Sequence, residues 1–177
     1  MALLESIAFN TLTTRFTNRY SFSAQVMQEC GENLFSFHSG EIYKHGEGAF
    51  NTYYDTAYPS SVTYTANQEP SNTKVWLGAG VEGNTIPDLV EFSNDWPYSQ
   101  FTDLFASDFR VKEGVFYAGL FRDKTSPNIA TGASPLLTGD KMRSQALKVY
   151  VKYTATNKHI RLKHINMMYN DSSGHSV

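Results

Sequence analysis

Two histidines, His38 and His45, come closest to the spacing of a metal site. They flank a segment that reads as a hairpin, so the fold could bring them near each other. A zinc site also needs cysteine or a well-placed carboxylate to complete its ligands, and the sequence offers no obvious one here. His159 and His164 are five residues apart, which puts them on opposite faces of a strand. We therefore expect no metal and no cofactor.

Carboxylates are available in pairs, and a glycan-cleaving enzyme would need such a pair. Hydrolysis of a glycosidic bond requires two carboxyl groups about 5 to 10 Å apart across a cleft. Three pairs lie close in the sequence: Glu82 with Asp88, Glu91 with Asp95, and Asp103 with Asp108. Loop carboxylates are common in β proteins, so availability alone gives this enzyme class little support.

Signatures of nucleophilic or nucleotide chemistry are missing. The chain has no Gly-x-Ser-x-Gly element, and Cys30, its one cysteine, has no flanking residues that mark a nucleophile. The glycines from Gly78 to Gly83 have the wrong spacing for a dinucleotide site, and they predict a flexible loop. We expect no catalytic residue, and we predict that the protein is not an enzyme.

Composition favours a β protein that packs against other protein. Aromatic residues make up 14% of the chain, which favours strands, whereas charged residues make up only 18%. A lone cysteine forms no internal disulfide, which suits synthesis in a reducing cytoplasm. No apolar run is long enough to span a bilayer, so we expect no membrane anchor.

Charge is distributed unevenly along the chain. The net charge of −2 argues against general nucleic-acid binding, yet residues 141–163 contain seven basic side chains and no acid. Lys148, Lys152 and Arg161 are the candidates from this stretch for contact with an acidic neighbour or with another copy of the chain. The alternative is an ordinary solvated strand face.

Alternation with period two predicts most of the strands. Leu34 to His38 and Glu41 to His45 form a hairpin across Ser39-Gly40, and Ser61 to Ala66 is another strand. Leu147 to Tyr153 alternates apolar and polar residues, as a half-buried strand does, and His159 to Tyr169 returns as a second long strand.

Two other segments have less regular patterns. Phe101, Leu104 and Phe105 recur at helical spacing, so residues 98–105 predict a short helical turn. Residues 110–121 predict two strands separated by a kink at Gly114.

These patterns predict an all-β protein, an antiparallel β-sandwich of about eight to ten strands with long loops. One domain would span residues 1–170, and residues 171–177 would form a flexible tail. Residues 126–140, rich in proline and glycine, form the longest predicted loop, whose order could depend on a neighbouring molecule.

Five aromatic residues fall in segments that read as loops. They are Tyr53, Tyr54, Tyr58, Trp96 and Tyr98. Such side chains can insert into a partner's pocket, stack on sugars, or simply cover the open end of a sandwich. All three interpretations remain open from the sequence.

Five short segments, taken in order, resemble the structural tail proteins of short-tailed phages. They are Asn33–His45 (Asn-Leu-Phe-Ser-Phe-His-Ser-Gly-Glu-Ile-Tyr-Lys-His), Asn51–Asp55, Asn67–Lys74 with Trp76 after it, Lys112–Ala118 with Arg122-Asp123, and Gly139–Arg143. The similarity is to muzzle-type virion proteins of crAss-like bacteriophages, in particular to their C-terminal β domain. Ser144 stands where that family's pattern has glycine.

The resemblance implies a virion structural protein made in the cytoplasm of the host bacterium. It implies a component of the tail or head-to-tail connector that forms a ring of copies, contacts neighbouring tail or connector proteins, and has no enzymatic activity. The runner-up function is a carbohydrate-binding module at a receptor-binding tail tip, which the loop aromatics would support.

Overall fold

Strands account for nearly all regular structure in the computed structural model, which describes residues 6–20, 22–95, 97, 99–126, 133–155 and 158–172. The chain divides into two compact units, Met1–Pro59 with Ala155–His159, and Ser60–Thr154 with Ile160–Val177. The single domain expected over residues 1–170 stays a prediction. Most of the expected tail, residues 173–177, lies outside the described residues.

The smaller unit is built from short antiparallel pairings. Its strands are β1 (Ser6–Asn10), β2 (Arg15–Tyr20), β3 (Val26–Cys30), β4 (Asn33–His38), β5 (Glu41–Lys44), β6 (Thr52–Tyr53) and β7 (Thr56–Ala57). They form a β1–β2 ribbon, a three-stranded sheet in the order β3-β4-β5, and a small β6–β7 pair. The predicted hairpin is confirmed as β4–β5, whose turn residues Ser39 and Gly40 have φ of 53° and 89°.

The larger unit contains two sheets. Its strands are β8 (Ser60–Ala66), β9 (Lys74–Gly83), β10 (Leu89–Asn94), β11 (Gln100–Phe105), β12 (Arg110–Lys112), β13 (Val115–Gly119), β14 (Arg143–Ser144), β15 (Leu147–Tyr153) and β16 (Leu162–Asp171). A 3₁₀ turn (Ala106–Asp108) and a single turn of helix, α1 (Pro135–Thr138), are the helical segments within the described part.

One sheet has the order β11-β10-β15-β8, and the other is centred on β9. Strand β9 pairs with β13 and β14 along one side and with β16 along the other, all antiparallel. The expected class, an all-β antiparallel β-sandwich, is confirmed by this arrangement.

The core lies between these two sheets. Leu147, Val149 and Val151 of β15 are fully buried, which confirms the predicted alternation of that strand. Ala79 and Val81 of β9 belong to the same apolar cluster and are equally inaccessible. Burying side chains of this size contributes about 1.5–3 kcal/mol for each large aliphatic residue.

The glycines from Gly78 to Gly83 lie within β9, so the prediction of a flexible loop is wrong. A Cβ atom at Gly78 would lie 2.7 Å from the Met168 side chain and 2.8 Å from the Ala118 carbonyl oxygen. At Gly83 it would lie 2.7 Å from the carbonyl oxygen of Arg161. These glycines therefore permit close approach of neighbouring strands, which their spacing alone does not reveal.

Three local predictions also need correction. Residues 100–105 form β11 and not a helical turn. Gln100, Thr102 and Leu104 alternate into the interior, and the period-two pattern is hidden in the sequence because two of these three buried side chains are polar. The two strands predicted over residues 110–121 are present as β12 and β13, but Gly114 lies in the turn of their hairpin and not at a kink. The long C-terminal strands β15 and β16 lie in different sheets.

A buried lysine holds together the segments that lead into β9 and β15. Lys74 has 0% exposure, and its Nζ donates hydrogen bonds to the carbonyl oxygens of Glu69 (3.0 Å), Asn72 (2.9 Å) and Gln145 (2.6 Å). The ammonium group also lies 5.6 Å from the Trp76 ring centroid and 5.7 Å from that of Tyr169. Burial lowers the pKa of Lys74, while three acceptors match the three protons of the charged form.

Lys74→Met should lower the free energy of unfolding by about 1–3 kcal/mol, because three carbonyl oxygens lose their buried donor. Urea denaturation measures the change. Lys44→Met is the matched control, since Lys44 pairs with Glu47 at the surface and should shift stability by less than about 0.5 kcal/mol. Equal stability of Lys74→Met and the parent chain would contradict this account.

Candidate assembly surfaces

An aromatic cluster forms the interior of the smaller unit. Phe22 is its buried centre, with Tyr53 stacked on it at a centroid distance of 4.6 Å and Tyr54 edge-on at 5.4 Å. His38 stacks on Tyr54 at 4.3 Å with nearly parallel rings. Because few aliphatic residues are buried in the described part of this unit, aromatic contacts supply much of its packing.

Ser36 links the three-stranded sheet to this cluster. The Tyr54 hydroxyl donates to Ser36 Oγ at 3.0 Å, and His45 Nε2 lies 2.6 Å from the same oxygen. Burial lowers the pKa of His45, which favours the neutral ring. In the tautomer with an unprotonated Nε2, this nitrogen accepts a hydrogen bond from the Ser36 hydroxyl. His38 and His45 thus lie around Tyr54 with separate packing roles.

Three of the predicted contact aromatics belong to this unit. Tyr53, Tyr54 and Tyr58 are half-buried, and Tyr53 contacts the Tyr58 ring at a centroid distance of 6.2 Å. Trp96 and Tyr98 lie outside the described residues. The role of all five in partner binding stays a prediction.

A shallow cavity of about 190 Å³ lies beside Tyr53 and Tyr54, with Tyr43 and Asp55 in its lining. The Tyr43 hydroxyl donates to Asp55 Oδ2 at 3.3 Å. Within the described residues, no group of three or more histidine, cysteine or carboxylate side chains is placed to hold a metal ion.

Lys148 and Lys152 lie on the outer face of the four-stranded sheet. The register pairs Lys148 with Thr65 and Lys152 with Ser61, while Tyr150, between them, pairs with Glu91. A depression of about 210 Å³ on this face includes Lys148, Glu91 and Tyr150 in its lining. The face therefore presents both signs of charge together with an aromatic ring.

Arg161 lies beside the other sheet, one residue before β16. It is exposed and precedes β16, and its backbone exchanges hydrogen bonds with Asn84. Lys163, two residues further, pairs with Glu82 at 3.0 Å on the surface. Lys148 and Lys152 thus lie on one sheet and Arg161 lies beside the other, so these three candidates do not form one basic face.

Exposed apolar residues of the smaller unit are the feature that sequence reasoning missed. Val26, Phe37 and Ile42 lie side by side across β3, β4 and β5, and they are 56%, 38% and 63% exposed. Strand β4 carries apolar side chains on both faces, since Leu34 alternates with Phe35 and Phe37. Apolar side chains on both faces of a strand are typical of a sheet that is covered on both sides, by its own chain or by another one.

Buried polar residues organise one end of the larger unit. Asp123 Oδ1 accepts hydrogen bonds from the backbone N–H groups of Phe101 (3.0 Å) and Thr125 (2.9 Å). Gln100 Oε1 accepts the backbone N–H of Arg143 at 2.7 Å. Ser144 Oγ accepts the indole N–H of Trp76 at 2.9 Å. These side chains fix backbone positions.

Residues 48–123 match the family model of the Crassvirus muzzle protein C-terminal domain. The resemblance to muzzle-type proteins of crAss-like phages predicted from the sequence is confirmed by this match, which indicates a virion structural protein. The matched range contains the motif around Lys74 and the Arg122-Asp123 pair, whereas the Asn33–His45 hairpin lies outside it. No curated protein matches the chain.

No helix in the described part of the chain combines the length and apolar character needed to cross a membrane.

The stability of the smaller unit should decrease as the pH falls below about 6.5, the ordinary histidine value. Because the folded pKa of His45 lies below that value, the unfolded chain binds more protons in this range, and acid favours unfolding. Titration by NMR should show the His45 ring protonating below pH 6.5. Protonation of His45 above that pH would contradict the assignment.

Proposed function

We propose that the protein is a virion structural component that assembles as a ring, by packing against copies of itself and against neighbouring tail or connector proteins. The proposal depends above all on the exposed apolar surface of the smaller unit. Ten large apolar side chains are exposed there: Ile7, Phe9, Leu12, Phe16, Val26, Met27, Leu34, Phe37, Ile42 and Phe50. Apolar surface at this density typically marks a protein interface.

The muzzle-domain match supports a place in the phage tail or at its connector. Lys148 and Lys152 would then contact an acidic neighbour or lie near the DNA channel, and Arg161 would act separately from the other sheet. The half-buried tyrosines Tyr53, Tyr54 and Tyr58 would border the subunit contact. The role is mechanical, without catalysis.

Carbohydrate binding at a tail tip has weaker support. Sugar stacking needs an open aromatic face, but Tyr54 is stacked on His38, and Tyr53 on Phe22. The cavity of about 190 Å³ beside them does contain Asp55 as a polar group. Glycan binding by a monomeric chain, lost on Tyr53→Ala, would favour this alternative.

The purified chain should form a multimer with a defined copy number, because contacts between copies would cover the large apolar side chains exposed on the smaller unit. Native mass spectrometry would report a multiple of the 19.9 kDa chain mass. If copies associate with a micromolar dissociation constant, a sample at about 100 times that concentration should consist mainly of multimers. A chain that stays strictly monomeric there would contradict self-assembly.

Reversing Lys148, Lys152 and Arg161 together to glutamate should block particle assembly, since each would repel an acidic partner. Lys148→Glu with Lys152→Glu tests one sheet, and Arg161→Glu tests the other. Particle yield by sedimentation is the measurement. Normal particles from the triple variant would refute a role for these basic side chains. If only the Lys148→Glu, Lys152→Glu variant or only the Arg161→Glu variant loses particle yield, the affected variant identifies the sheet that makes the contact.

A further inference from the structure

The two edges of the four-stranded sheet differ, because the chain itself closes the edge formed by β11. The backbone N–H of Phe101 donates to Asp123 Oδ1 at 3.0 Å, and the Phe101 carbonyl oxygen accepts the N–H of Lys124 at 2.8 Å. The N–H of Phe105 donates to Asp108 Oδ2 at 2.7 Å. These bonds occupy backbone groups of β11 that would otherwise be available to another strand.

The sheet centred on β9 has outer strands that discourage pairing. Strand β12 has three residues, and two of them are Arg110 and Lys112. Strand β16 is longer, but its register shifts at two places, and it carries Lys163 and Asp171. Short length, charge and bulges are the features by which edge strands avoid pairing with other chains.

Strand β8, the other edge of the four-stranded sheet, has none of these features. Its seven residues, Ser60–Ala66, are uncharged, and all of them pair with β15 in a register without a shift. Within the described residues, β8 pairs with β15 alone. Ser61, Val62, Thr63 and Thr65 are exposed. Strand β8 is therefore the edge of the larger unit best suited to accept another strand.

The sheet register determines which backbone groups β8 presents at its free side. Successive residues of a strand direct their N–H and C=O groups to opposite sides, so hydrogen-bonded pairs alternate with non-bonded pairs. The backbone groups of Phe101 point away from β10, and no register shift interrupts the order β11-β10-β15-β8. Alternation across these strands therefore places the backbone groups of Ser61, Thr63 and Thr65 at the free side of β8.

The side chains of β8 match those of a second copy of the same strand. In an antiparallel pair centred on Thr63, Val62 of each copy lies opposite Tyr64 of the other. These two residues lie on the core side of the sheet, since they pair with buried valines of β15. On the outer side Thr63 lies opposite Thr63, and Ser61 lies opposite Thr65. Aromatic residues opposite β-branched ones, and hydroxyl residues opposite each other, both stabilise strand pairs, and no charges meet.

We infer that β8 of one copy pairs antiparallel with β8 of a second copy, centred on Thr63, so that two four-stranded sheets join into one of eight strands. This register aligns the free backbone groups of both strands and matches the side chains on both faces. Val62 is 40% exposed although its partner Val151 is fully buried, and Tyr64 of the second copy would cover it.

The β8 contact differs from the ring contact proposed above and does not depend on it. A contact between two identical surfaces is isologous, so it joins copies in twos and stops. In an assembly that contains both kinds of contact, two rings would be joined and the copy number would be even.

Disulfide trapping tests the pairing. In a Cys30→Ser background, which removes the one cysteine of the chain, Thr63→Cys places two thiols opposite each other at the two-fold axis. Mild oxidation should convert most of this variant to a covalent dimer. Thr65→Cys in the same background is the matched control, because its two thiols would lie about 14 Å apart along the strands, too far for a disulfide.

A mixed sample tests the register. Ser61→Cys chains oxidised together with Thr65→Cys chains, both with Cys30→Ser, should give heterodimers, whereas neither variant alone should give covalent dimers. Intact mass spectrometry distinguishes the heterodimer from the two homodimers.

A charge at the axis should weaken the pair. Thr63→Lys should raise the dissociation constant of the dimer by about fivefold or more, because two ammonium groups would lie directly opposite each other. Asn166→Lys adds the same charge at an exposed position of β16 and should leave that constant unchanged. Analytical ultracentrifugation measures both constants.

Other results would overturn the inference. They are the absence of a disulfide in the Thr63→Cys variant, or equal disulfide yields from Thr63→Cys and Thr65→Cys. Rings with an odd copy number that tolerate Thr63→Lys would refute the β8 pair while leaving ring assembly intact. Covalent dimers of Thr63→Cys in a sample without rings would support the β8 pair and contradict only the ring.

Discussion

A lysine ammonium group with no exposure to solvent determines how the two sheets of the larger unit meet. Lys74 begins β9, the central strand of one sheet, and bonds the carbonyl oxygen of Gln145, just ahead of β15 in the other. Burying a charge is costly unless its hydrogen bonds are complete. The turn ahead of β9 must therefore close around the amine, with Glu69 and Asn72 supplying the remaining acceptors.

The motif residues behind the family resemblance share this structural role. Ser36 connects a sheet to the aromatic cluster, Lys74 closes a turn, and Asp123 accepts backbone N–H groups that position β11. All three side chains are buried, and their polar atoms bond to other groups of the protein itself. These motif residues thus specify the fold, and the exposed surfaces are left to make the contacts that we propose with other proteins.

Strands with regular alternation were predictable, whereas sheet membership was not. The pattern of β15 indicates its buried face directly, but pairing partners depend on distant segments, so β15 and β16 appear to be a hairpin from sequence order. The hydrophobic pattern does not predict that the glycines of β9 lie in a strand or that Thr102 of β11 is buried, because both features depend on contacts with neighbouring strands. For the surfaces, the basic stretch predicts Lys148 and Lys152 on one face. The side-by-side placement of Val26, Phe37 and Ile42 is seen only once β3, β4 and β5 are in register.

The central claim is that this chain is a repeated structural part of a phage particle, held by apolar surface on its smaller unit. Electron cryomicroscopy of intact particles, with this chain traced in the density, tests it most directly. The account predicts several symmetry-related copies in the tail or connector, with the side of the three-stranded sheet that bears Val26, Phe37 and Ile42 covered by protein. Particles that lack the chain, or copies in which that side faces solvent, would contradict it.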